Sequence, residues 1–240
     1  MGRSVTFGSL SYKPVKAGVA EAPITAGDVS KMSAQLVRVD PGARFEALVP
    51  GGSDGYLFML TGAGRIAVGF DEIQIDCESF AAVSERNGFS LLNSSATPAE
   101  VVYVLAPPQG SPREHPGLAQ PLAVISRAEA PTAYIADQKK NRRYFVADEA
   151  VKSERGHAMI VEYEQDTETV MHHHPDAESM FVVLTGDIRF VVDGTPTVLR
   201  RGQAVYFPIN NAHALRCAEG TTSASFLEFH IPGAFTTVKD

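Results

Sequence analysis

Apolar residues along this chain gather in short runs rich in Val, Ile, Phe and Tyr, such as Gly64-Arg65-Ile66-Ala67-Val68 and Met180-Phe181-Val182-Val183-Leu184, with glycine and proline recurring between them. Runs of this length bounded by turn residues predict strands, and a chain full of them predicts an all-β sandwich or barrel. Elsewhere the pattern alternates. Met159-Ile160-Val161-Glu162 and Phe226-Leu227-Glu228-Phe229-His230 place every second side chain on one face of a strand. Patterns of helical period are scarce.

The pattern repeats itself. Leu60-Thr61-Gly62 returns as Leu184-Thr185-Gly186, 124 residues later, and at that offset Arg65 falls on Arg189 and Pro108 on Pro232. Two copies of one barrel follow, residues 1–112 and residues 113–240, with the join and the first strand of the second copy carried by residues near 109 to 150. A chain of 240 residues is long enough to bury two such cores.

The second copy carries the chemistry. In the extended segment Met171-His172-His173-His174-Pro175-Asp176-Ala177-Glu178, alternation turns His172 and His174 to one face and His173 to the other. His213 follows after a turn and a returning strand. Three imidazoles, with the carboxylate of Glu178 nearby, suit one divalent transition metal with coordination positions left open. At the 124-residue offset His172 falls on Leu48, His174 on Pro50, Glu178 on Asp54 and His213 on Phe89, so the first copy offers no imidazole. No histidine precedes His115. His115 and His157 read as surface residues, and the Glu228/His230 pair as an acid/base or supporting pair only if that face lines the barrel. With tryptophan absent and the aromatics mostly Phe, the pocket is expected to be apolar.

The net charge of −7 and the lack of any long basic run argue against nucleic acid as a partner. Lys139-Lys140-Asn141-Arg142-Arg143 is the one basic cluster and reads as a solvated segment between the halves. No stretch approaches the ~20 apolar residues of a membrane span, and Met1-Gly2-Arg3-Ser4 opens without a signal-like apolar run, so no membrane association and a cytoplasmic protein are expected. Cys77 and Cys217 are expected to be buried free thiols. A small-molecule substrate is the expected partner, and a homodimer stays open.

The spacing of His172, His174 and Gly186, then Gly202, Pro208 and His213, resembles the two motifs of the cupin superfamily, whose members are small jelly-roll barrels that hold a metal with two His, a Glu and a further His. The resemblance covers residues 166 to 217 as motif and implies two tandem jelly-roll barrels, with metal only in the second. Asp166 and Asn210 stand where the motifs have Gly, and Cys217 where they have Asn; Asn keeps the left-handed turn conformation available. The glutamate is ambiguous. Counting on from His174 makes Glu178 the fourth ligand and a catalytic carboxylate; counting back from Gly186 puts Ser179 there, with Phe181 and Val183 facing inward and Glu178 outward.

The resemblance implies a metal-dependent enzyme on a small organic substrate. Three-histidine cupin sites resemble those of non-haem dioxygenases, which favours iron; Mn, Zn, Ni, Co and Cu are open to the same donors. The alternatives are a non-redox isomerase, cyclase or aminohydrolase that uses the metal as Lewis acid, and a cupin that binds a small ligand without turnover.

Overall fold

A computed structural model describes residues 1–108 and 115–239, and among them there is no α-helix: strands dominate, joined by turns and two short 3-10 segments. The chain forms two compact units. One comprises Leu10–Ala130 with Val151–Arg155; the other comprises Pro131–Ala150 and Gly156–Asp240 with Met1–Ser9. The expected boundary between residues 112 and 113 lies outside the described residues.

Each unit is a pair of antiparallel sheets closed over a core. In the first, a seven-stranded sheet faces a four-stranded one; in the second, a seven-stranded sheet faces a five-stranded one. Alternating inward residues supply each core: Val37, Phe45, Leu57, Ile66, Val101 and Tyr103 in the first, and Val161, Phe181, Phe190, Val205 and Phe226 in the second. The fold is therefore the all-β jelly-roll pattern expected from the short alternating runs.

The strands correspond at the expected offset. Asp54–Thr61 matches Glu178–Thr185, Ala63–Val68 matches Ile188–Val192, and Gly88–Asn93 matches His213–Cys217. Gly186 makes its turn at φ 66, where an added Cβ would lie 2.4 Å from the Ser223 carbonyl, so only glycine fits. Asp166 and Asn210 take left-handed conformations at φ 64 and 60, so the departures from Gly keep the turns.

Strand pairing corrects the offset at the histidines. A bulge between Thr169 and His172 inserts one residue, so His172, partner of His213, corresponds to Ala47, partner of Phe89, and not to Leu48. By the same shift His174 falls on Val49. Neither carries a donor.

The first unit uses its buried charge structurally. Asp54, fully buried, accepts from Ser153 Oγ at 2.6 Å, Arg155 Nη1 at 3.1 Å and the Leu118 amide at 3.2 Å. Burial raises its pKa, against the lowering pull of Ser153 and Arg155. Of the cysteines, Cys217 is buried as expected, but Cys77 is exposed because it sits in the turn after Asp71–Asp76.

Candidate metal centre

His172 lies on the strand Glu168–His173, His174 just beyond it, and His213 opens the strand His213–Cys217 that pairs with it. Their ring centroids are 4.3 Å (172 to 213), 5.1 Å (172 to 174) and 5.5 Å (174 to 213) apart, and one nitrogen from each falls within 4.8 Å of the other two. His173 stays outside this group.

Backbone carbonyls fix the tautomers. The Nδ1–H of His172 donates to Val170 O at 2.8 Å, that of His174 to Thr236 O at 2.9 Å, and that of His213 to Asn211 O at 2.9 Å. A carbonyl can only accept, so the proton sits on Nδ1 and each Nε2 lone pair is free. The Nε2 atoms of His174 and His213 are buried with no hydrogen-bond partner. The His213 ring also stacks on Phe207 at 4.3 Å and 13°, which holds its plane.

Burial, then the charges of neighbouring histidines, push His213 down to about 3; burial first, then His230, push His174 down to about 4. His172 is lowered too, chiefly by burial. All three are neutral near pH 7. Neutral, converging nitrogens are what a transition metal needs, so the donor set fits such an ion.

Glu178 does not join them. Ser179 Oγ is 2.9 Å from His230 Nδ1, Phe181 lines the cavity and Val183 belongs to the inner core. Alternation then turns Glu178, though buried, to the opposite face of its strand. Of the two registers open in the sequence, the geometry is that of Ser179 inward, because the extra residue is absorbed upstream at the Thr169/His172 bulge.

The cavity beside the histidines has a volume of about 430 Å³. It is far from uniformly apolar, which corrects the expectation of a greasy pocket. The basic cluster forms the strand Lys140–Val146, and its alternate residues Lys140, Arg142 and Tyr144 line the cavity instead of a solvated linker. His157, expected at the surface, also lines it, because it is the cross-strand partner of His230. Burial pushes His157 down to about 4.

Opposite, Glu228 Oε1 lies 2.5 Å from His230 Nε2, and His230 stacks on Phe235 at 4.0 Å. Burial would raise Glu228, but His230, His157 and Arg142 outweigh it and bring the carboxyl to about 2. The Glu228/His230 face thus does line the barrel. The signal for Lys140 and Arg142 was present in the sequence as a period-two pattern, masked by its charge.

Residues 159–230 match the cupin domain family model. Solved structures share the fold over nearly the whole chain: the oxalate decarboxylase of Lactobacillus farciminis in its formate complex (TM-score 0.75, 13% identity, covering 98% of this chain and 88% of that one), the E. coli protein Ylba (0.75, 11%, 96% and 90%), and a cupin 2 conserved barrel domain protein from Leptotrichia buccalis (0.67, 15%, 95% and 96%). No curated protein matches the sequence. The segment that matches the cupin domain model lies in the unit that carries the three-histidine group. No helix among the described residues is long and apolar enough to cross a membrane.

Proposed function

We propose that the protein is a metal-dependent enzyme whose C-terminal unit holds one divalent transition ion on His172, His174 and His213 and acts on a small organic substrate, as a dioxygenase with iron. The observation that carries this reading is the set of three Nδ1–H groups tied to backbone carbonyls, with one nitrogen of each ring within 4.8 Å of the others and the Nε2 atoms of His174 and His213 buried and unpartnered. Three neutral ligands leave a bound ion its full charge and open positions, suited to a bidentate oxygen substrate and to dioxygen.

The chain's own residues would do the rest. Phe181, Tyr144 and Phe235 line the cavity and exclude water from the reacting end of the substrate. Glu228, ionised and fixed by His230, is placed to accept a proton from a substrate enol or phenol. That same carboxylate favours a second reading, a non-redox isomerase, cyclase or hydrolase in which Glu228 moves the proton and no dioxygen is consumed.

Protein purified without chelator or nickel resin is to be analysed for metal and then tested for oxygen uptake with carbonyl, enol and phenol substrates. Iron at one per chain with substrate-dependent oxygen uptake supports the dioxygenase. Zinc or manganese with turnover but no oxygen uptake selects the second reading. Protein that takes up no metal overturns both and leaves a small-ligand-binding cupin.

A further inference from the structure

Cations outnumber carboxylates in the lining of the cavity although the chain as a whole carries a charge of −7. Lys140 is 6% exposed and makes no side-chain hydrogen bond or ion pair with any described residue. Two positions along, Arg142 lines the same cavity with its Nε buried and unpartnered. Burying the Lys140 ammonium and the Arg142 Nε–H without hydrogen-bond partners costs free energy.

The surrounding groups do not cancel that charge. Glu228 is hydrogen-bonded to His230, and Glu149, which also lines the cavity, is exposed to solvent. Lys239 adds a further cation. Set against Glu149 and Glu228, the three cations of the lining, Lys140, Arg142 and Lys239, leave a surplus that one monoanion balances. A carboxylate matches it: a guanidinium offers paired donors to its two oxygens, and the ammonium adds a point charge. The remaining wall, with Tyr144, Met159, Val161, Phe181 and Phe235, suits an apolar or aromatic body.

We propose that Lys140 and Arg142 form an anion subsite beside the three histidines, and that the substrate is a small carboxylate with a short apolar or aromatic body. This deepens the metal-enzyme reading by naming the substrate class, but the subsite itself consists of the protein's own side chains and exists without the ion.

The test uses benzoate and its neutral counterpart benzamide as probes, titrated calorimetrically into the full chain, once after chelator treatment and once after loading with Co²⁺. In the chelated protein benzoate is expected to bind in the millimolar range or tighter, and benzamide on the order of ten-fold more weakly. Lys140→Met and Arg142→Met are each expected to weaken benzoate on the order of ten-fold, leave benzamide unchanged, and leave Co²⁺ affinity within a few-fold. Arg142→Lys, which keeps the charge, should restore part of the loss and guards against a folding artefact, as does the unchanged Co²⁺ titration.

Absence of saturable benzoate binding overturns the subsite, as does equal binding of benzoate and benzamide or indifference to both substitutions. Inorganic phosphate that binds more tightly than benzoate overturns the carboxylate assignment. Loss of Co²⁺ binding in the wild type, with benzoate discrimination intact, would instead sink the metal reading alone.

Discussion

The two units place different side chains at the same points of the same strand pattern. In the first, Phe45, Phe89 and Tyr103 meet edge to face, with centroids 5.5 to 5.6 Å apart, and close the interior. Following the pairing of the strands, their counterparts in the second are Thr169, His213 and Glu228: Leu91 pairs with Phe45 as Leu215 does with Thr169, and Leu57 pairs with Tyr103 as Phe181 does with Glu228. Leu105 likewise corresponds to His230, and Val19 to Lys140. One unit therefore fills its interior with aromatic packing, and the other gives up that packing for a cavity lined by ionisable side chains. The lesson is that the scaffold fixes where inward side chains point, and a handful of residues decides whether that point is core or site.

The strongest way to break the comparison is through the metal. The double change His172→Ala/His174→Ala should take bound metal from about one ion per chain to none, measured by elemental analysis, because the first unit has no substitute donors. His213→Phe, which installs the first unit's residue, should do the same. Two ions per wild-type chain would refute the contrast.

Next comes packing. Phe45→Ala should destabilise the first unit by about 3–5 kcal/mol in a denaturant titration, as buried Phe truncations do, with no change in metal content. A change below about 1 kcal/mol would mean that the aromatic trio is not the core it resembles.

Acid should separate the units more gently. For a histidine whose folded pKa lies below its unfolded value near 6.5, the unfolded chain takes the proton first, so stability is lost as pH falls below about 6.5 toward the folded values of about 4 for His174 and His157 and about 3 for His213. Asp54 has the opposite sign: its raised folded pKa contributes stability at low pH that fades as pH rises through that pKa. Hydrogen exchange on metal-free protein should show the amides of the second unit losing protection first as pH drops below about 6.5. Simultaneous loss in both units would contradict the assignment. Bound metal should shift the second unit's loss to lower pH, since protons then compete with the ion.

The smallest effect is expected at Glu178. Its face is not that of the three histidines, so Glu178→Gln should leave metal affinity within the ~10-fold that loss of a supporting contact gives. A much larger loss would restore the four-ligand site.

Much of this was legible in the chain before its structure. The paired Leu-Thr-Gly turns disclosed the repeat, and the spacing of His172, His174 and His213 disclosed that these three side chains come together, because period-two alternation and turn chemistry are local. What escaped depended on non-local pairing. The Thr169/His172 bulge is visible only once the strand meets His213–Cys217. His157 looks peripheral until it is set opposite His230. Lys140 and Arg142 read as solvated charge when composition outweighs alternation, yet Tyr144 continues their stripe.

The strand Arg3–Thr6 does not stay with the residues that follow it but pairs with Gln203–Phe207 at the edge of the second unit's large sheet, Val5 opposite Ala204. Arg3–Thr6 is thus synthesised well before the strand it pairs with. At about 5–20 residues per second, some 200 residues of synthesis keep it waiting for its partner strand on the order of ten to forty seconds. Until it docks, the backbone groups of Gln203–Phe207 remain an open strand edge, the feature through which nascent β-proteins pair with the wrong neighbour. Deleting residues 1–9 should therefore show up first as aggregation of the second unit during expression, well before any change in the chemistry of its site.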